Sequence, residues 1–425
     1  VKPSSVEVLA AALFLVAVVH TFLITKLRDR SLQYPPGTFM HDLLHLLSEV
    51  EIVFGFWAGV LVLGITILES GKEAVHYVDS VDFSEAVFVF AVMSVAGTRP
   101  VIDFASRLIG SFARLLPFRN ALSFYLVALT VGPPLGSFIT EPAAITVTAL
   151  ILRDRFMTRG SSDRFKYATL AVLFTNISIG GVLTSFAAPP VLMVANVWQW
   201  DFAYMVAHFG WKAAIAVVIN ASLVAALFRK EIEQVSGDNA GSARTFTPVW
   251  ISAVHLLFLA LIVATLHYVN VFLGVFLFFL GFTTVTREFQ DDLNLRGSLL
   301  VAFFLGGLVI LGGLQTWWLA PLIGRLEALS LFLGTAGLTA FTDNAALTFL
   351  GSQIPNVSEQ FKYALVAGAI AGGGLTVIAN APNPAGFAIL GESFGSAGIS
   401  PMRLFRTALI PVGVAMVCLW LLPGL

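Results

Sequence analysis

Apolar residues in this chain come in long unbroken runs separated by short polar stretches. Several runs reach the roughly 20 residues needed to cross a hydrocarbon core of about 30 Å. They predict membrane helices near 6–26, 43–68, 84–110, 165–196, 203–228, 249–268, 270–286, 297–318, 362–388 and 402–423. A transmembrane barrel would instead alternate apolar and polar residues in segments of about 10. Two further segments, 120–152 and 328–353, are apolar but interrupted at the centre, by VGPPLGSFITEP in the first and GTAGLTAFTDN in the second. Proline, glycine and an acid would break a continuous helix there. Two half-helices entering and leaving on one side would put this irregular centre at membrane depth, which is tolerated where it is buried in protein or lines a cavity. Both segments are therefore expected to be re-entrant hairpins.

Charge tests that reading. With both segments re-entrant, the loops gather 18 of the 24 Lys and Arg on one side, among them Arg28, Arg119, Arg159, Arg244 and Arg403. Only Lys2, Lys72, Arg325 and Lys362 fall on the other, and Arg99 and Lys212 lie within spans. The positive-inside rule makes the basic side cytoplasmic. The N-terminus is then outside, and the hairpins enter from opposite faces. The first apolar run is long enough to span and is followed by basic residues, so it is expected to be a membrane helix, not a cleaved signal.

Three short matches recur in order. TEPAAIT at 140–146 pairs with TDNAALT at 342–348, FKYA at 165–168 with FKYA at 361–364, and GGVLTSFAAPP at 180–190 with GGGLTVIANAP at 372–382. The offsets of 202, 196 and 192 imply a duplication with small indels. Hairpins entering from opposite faces make the repeats inverted. The expected organisation is an N-terminal helix and loop over 1–40, repeat 1 over 41–228, a cytoplasmic linker over 229–248, and repeat 2 over 249–425. The fold class is an all-α polytopic membrane protein of about ten transmembrane helices plus two re-entrant hairpins in two inverted repeats with discontinuous helices.

Composition narrows the chemistry. The 425 residues are 57% hydrophobic and only 12% charged, with a net charge of −1 and no basic cluster to bind nucleic acid. One cysteine, Cys418, excludes a disulfide framework. No Gly-x-x-x-x-Gly-Lys loop is present, so nucleotide-driven transport is not expected. Inverted repeats with broken helices are a recurrent architecture of secondary transporters, whose substrate and ion sites sit at the breaks. Glu141 and Asp343 occupy the two tips. Thr140, Thr342 and Asn344 beside them, and Thr184, Ser185, Asn380 and Asn383 in the broken helices, add oxygen ligands. Carbonyls freed by the Gly–Pro breaks add more. Oxygen ligands with carboxylate charge suit hard cations. A carboxylate out of water holds its proton more tightly, so one acid can exchange a proton for Na⁺ near neutral pH. Asp343 ranks first because Asn344, Asn380 and Asn383 lie in its half. The two acids could instead only cap half-helix N-termini. Asn176 and Ser178 rank second, since buried Asn and Ser often serve as interhelical glue.

These tips and broken helices resemble the ion-transporter superfamily of sodium/proton antiporters, arsenite permeases and sodium-coupled carboxylate carriers. From about His41 onward the chain most resembles a bacterial Na⁺/H⁺ antiporter family. The resemblance implies a homodimer in the bacterial inner membrane, with a scaffold holding an elevator-like transport part. It also implies Na⁺ and H⁺ as the transported ions, with no resident cofactor. The carboxylate carriers have neutral Ser-Asn-Thr tips where this chain has Thr140-Glu141-Pro142 and Thr342-Asp343-Asn344, which disfavours a dicarboxylate. Two alternatives stay open: a cation-coupled carrier of an anion or metalloid, and a membrane metalloenzyme using His41, His45 and Glu49. The i, i+4, i+8 spacing of those three also fits a polar turn at the interface. Arg99 and Asp103 read as an intramembrane ion pair, and Trp198, Trp200, Trp317 and Trp318 as interface anchors.

Overall fold

The computed structural model describes residues 3–49, 51–118, 120–157, 160–235 and 247–423. Lys2, Arg119, Arg159, Arg244 and linker residues 236–246 lie outside the described residues. Everything described is helix or connection, with no strand among the described residues. Six helices there are long and apolar enough to cross a membrane: Ser5–Ile24, Ala121–Ile139, Asp163–Leu183, Phe202–Leu227, Leu295–Gly312 and Pro401–Leu421. The chain is a multi-pass membrane protein.

Other expected spans are shorter or broken. The 43–68 stretch divides into Phe39–Leu46 and Ile52–Leu68. The 84–110 stretch divides into Ser84–Ala96 and Arg99–Leu115, which meet at 67°. Pro100 in the first turn of the second piece has no N–H to continue the ladder across Gly97–Thr98. Ala121–Ile139, the first arm of the first expected hairpin, is itself long enough to be a span.

The helices form two compact units, and each draws on both halves of the sequence. One comprises Val1–Ala91, Leu295–Glu327 and Phe349–Ser358; the other comprises Val92–Asn294, Ala328–Thr348 and Glu359–Leu425. In the first, the Ile52–Leu68 helix packs on Ser5–Ser31 and Leu295–Gly312. A Cβ on Gly307 would lie 2.3 Å from the Gly55 nitrogen, so these backbones touch directly. Phe54 meets Phe14 and Phe304 edge to face, at 5.7 and 5.3 Å.

In the second unit, both FKYA segments pack against the last helix, Pro401–Leu421, from opposite ends. Tyr167, near the start of Asp163–Gly180, accepts the Ser400 N–H at 2.8 Å. Tyr363, near the start of Glu359–Gly372, donates its hydroxyl to the Leu419 carbonyl. The two helices therefore begin at opposite ends of the last one and run antiparallel. A cation covers each ring, Arg403 over Tyr167 at 4.4 Å and Lys212 over Tyr363 at 4.6 Å.

The tryptophans divide. Trp200 is buried, packs on Trp198 and Phe209, and stacks on Tyr204 at 4.7 Å, whereas Trp317 is exposed, as an anchor requires.

Candidate functional site

Residues 140–141 form the sharpest turn at the site. The Gly132–Ile139 helix ends at Thr140, whose φ of 73° and ψ of 149° lie in a region a β-branched residue rarely enters. Such strain costs on the order of 1–3 kcal/mol and persists where surrounding packing imposes it. The Glu141–Phe156 helix starts at the next residue, with Pro142 in its first turn, where no N–H is needed. The two helices flanking Thr140 pack along each other, as a hairpin requires. In the 328–353 segment, the Ala328–Thr339 helix instead has Glu359–Gly372 as its main partner.

Broken helices supply the opposite wall. Asp163–Gly180 passes through one 3-10 turn, Gly181–Leu183, into a run of bends from Thr184 to Ala188, and Pro189 opens the next helix. Glu359–Gly372 likewise gives way to an irregular stretch before Asn383–Gly391. In both, the glycines fall where neighbours leave no room for a side chain. A Cβ on Gly373 would sit 2.1 Å from Ser178 Oγ, and one on Gly374 2.2 Å from Thr175 Oγ1.

Ser137, which sequence reasoning missed, joins the first turn to the first break. Its Oγ donates to the Gly180 carbonyl at 2.8 Å and accepts the Leu183 N–H at 3.0 Å, while its carbonyl accepts Thr184 Oγ1 at 2.7 Å. The freed carbonyls are thus not bare. Asn383 Nδ2 likewise donates to the carbonyls of Gly373 and Thr376, at 2.8 and 2.9 Å. Side chains take up the backbone acceptors at both breaks because buried carbonyls need donors.

What remains unpartnered is side-chain oxygen. Glu141 is fully buried; its Oε2 accepts from Asn380 Nδ2 at 3.0 Å, whereas its Oε1 has no partner. Thr140 Oγ1, Asn344 Oδ1, Asn380 Oδ1 and Asn383 Oδ1 are also buried without a donor. All five atoms belong to residues the motifs single out. They sit in one bonded neighbourhood: the Asn344 N–H donates to Ala379 O at 3.1 Å, and the Asn383 N–H to Asn380 O at 3.0 Å. A buried polar atom without a partner costs about 1–3 kcal/mol. Several acceptors left together, one on a carboxylate, suit a bound cation or proton. Thr148 Oγ1, two turns beyond Glu141 on the same helix, is a sixth, and its i+7 spacing was the available signal.

The other candidates divide. Asp343 Oδ1 accepts the Ala345 N–H at 2.8 Å, capping the Asn344–Ser352 helix. Ser178 Oγ donates to the Ile370 carbonyl at 2.7 Å and receives Asn344 Nδ2 at 3.5 Å, linking the two broken helices. Asn176 donates to the carbonyls of Leu129 and Val217 and accepts from Asn220, which makes it a tie between helices. Thr342 and Ser185 are half-buried and contribute none of the site's side-chain bonds.

Elsewhere, Arg99 Nε lies 3.8 Å from Asp103 Oδ2, and that oxygen also accepts the N–H and hydroxyl of Thr247. His41 and His45 occupy an eight-residue helix with no buried residue, and their nearest acids are Asp42 and Glu49. Among the described residues, no three or more His, Cys, Asp or Glu gather as a metal site. No curated protein matches the chain. Residues 5–422 match one family, described as "Putative Na+/H+ antiporter".

Proposed function

The chain belongs to that Na⁺/H⁺ antiporter family, and from this premise we propose that it exchanges Na⁺ for H⁺ at Glu141. The observation that carries the reading is Glu141 Oε1, a fully buried carboxylate oxygen without a donor, among partnerless oxygens of Thr140, Asn344, Asn380 and Asn383. When Na⁺ occupies the site, these oxygens serve as its ligands. When Na⁺ is absent, a proton on Oε1 neutralises the buried charge, so the two cations compete for one acid and never bind together. Asp343 contributes negative charge nearby while its Oδ1 holds the helix start. The site lies between the two tips and the two broken helices of an inverted repeat. The antiparallel course of the FKYA helices supports that architecture.

The test is Na⁺-driven proton flux in proteoliposomes. Glu141→Gln is expected to lower it by at least about 100-fold, in line with the loss of a group that acts directly on the transported proton. Asp343→Asn, which keeps a side chain able to cap, is expected to reduce it about tenfold or less. Equal abolition by both would give the proton a shared site. No proton movement by the wild type with any alkali cation would remove the reading, and the same vesicles would then be screened with carboxylates and arsenite. Competition also fixes a pH dependence. The apparent KM for Na⁺ rises as pH falls, approaching tenfold per unit once Glu141 is largely protonated, with a slope of about one proton.

A further inference from the structure

Lys212 belongs to none of this. It lies in the Phe202–Leu227 span candidate and is only 1% exposed. A lysine within a membrane segment is costly and is retained where it meets a partner. An ammonium group carries three N–H donors. One is used here, toward Tyr363 Oη at 2.8 Å, and the Tyr363 hydroxyl proton is committed to the Leu419 carbonyl. Among the described residues, Lys212 forms no ion pair.

Lys212 also lines a cavity of about 390 Å³, together with Ala328, Gln360, Tyr363, Trp420 and Pro423, among others, with no acid in the wall. Two helices begin at this wall, Ala328–Thr339 with its first residue and Glu359–Gly372 with its second. Helix N-termini carry a partial positive charge of about half a unit. An acid stands at each start, Glu327 directly before Ala328 and Glu359 opening the other helix, where it is bonded to Lys362. The cavity thus collects a buried ammonium, two positive helix ends and the Gln360 amide, beside the apolar Trp420, Leu421 and Leu422.

We propose that this cavity is an anion-binding site for a phosphate group, held by Lys212 and Gln360 at the two helix starts. Phosphate can reach it on an anionic phospholipid or as a free ion. The site is separate from Glu141, and its test does not use transport.

The experiment is thermal unfolding of the purified full-length protein, with two probes. One is inorganic phosphate, with sulfate-free sodium gluconate as the matched salt; the other is phosphatidylglycerol in mixed micelles, against phosphatidylcholine. The expected result is stabilisation of the wild type by at least one probe. The concentration for half-effect should rise at least tenfold in Lys212→Met and in Gln360→Ala, while Lys212→Arg retains binding. Stabilisation by phosphate assigns the free ion, and stabilisation by phosphatidylglycerol alone assigns the lipid headgroup. If Lys212→Met does not fold, Gln360→Ala, which changes only the cavity wall, decides. No stabilisation of the wild type by either probe overturns the proposal, as does unchanged binding in the foldable variants.

Discussion

Glu141 Oε1 and the α-hydrogens of Gly181 share a gap that admits no methyl group: a Cβ on Gly181 would lie 2.4 Å from that oxygen. Gly181→Ala is therefore expected to displace the carboxylate and abolish Na⁺-dependent flux while the protein still reaches the membrane. Gly334→Ala, where nothing lies within 4 Å, serves as the neutral control. Asn380 is the second lever. Its amide donates to the buried carboxylate of Glu141, and a hydrogen bond to a charged group is worth about 1.5–3 kcal/mol, so Asn380→Ala should shift the apparent Na⁺ affinity roughly 10- to 100-fold. Thr140→Gly should leave thermal stability unchanged or higher, since glycine accepts a positive φ, yet weaken Na⁺ affinity by removing Oγ1. A clear fall in unfolding temperature would show that the turn is not strained. The motifs pointed to Glu141, Asn380 and Asn383 because acid and amide are rare in apolar runs. The pairing of Asn380 with Glu141 was not legible, because it joins the two halves of the sequence, and similarity between halves says nothing about contacts made across them. That crossing is why Glu141 replaces Asp343 as the first choice for the exchanging acid.

Among elements, breaks were easier to read than neighbours. Gly-Gly followed by Pro told where each broken helix stops, since glycine weakens the ladder and proline cannot continue it. The bend after Ala96 carried the same sign in Gly-Thr-Arg-Pro, but the apolar run on either side outweighed it. FKYA recurs without disclosing its work, because a tyrosine's partner lies 56 or 233 residues away. Tyr167→Phe and Tyr363→Phe should each destabilise the protein by roughly 0.5–1.5 kcal/mol, read as an earlier thermal transition, with a larger effect at Tyr363, whose hydroxyl also receives Lys212. Equal and negligible shifts would mean that the last helix is held by apolar packing alone.

For the whole molecule, the charge asymmetry makes a directional statement that the antiparallel FKYA helices sharpen. Asp163 and Glu359 open those two helices, with side chains 62% and 61% exposed. Cys418 is buried, so background labelling is low. In intact cells an impermeant maleimide should label Glu359→Cys, and should label Asp163→Cys only after permeabilisation. Labelling of both from one side would contradict the inverted repeat. Sequence blocks and compact units also differ in kind. A duplication would copy the chain in order, whereas burial groups whichever helices share apolar faces, so each unit draws on both halves of the sequence.

The last helix has a mechanical consequence. From Ser400 to Leu419 is about 30 Å at 1.5 Å per residue, close to the thickness of the hydrocarbon core. A strut of that length, fastened at one end to the helix that leads into Gly181 and at the other to the helix that leads toward Asn380, fixes how far those two can slide past each other. A cycle in which one repeat rocked against its twin would snap a fastening on every stroke. One in which both discontinuous helices ride as a single carriage would keep them intact.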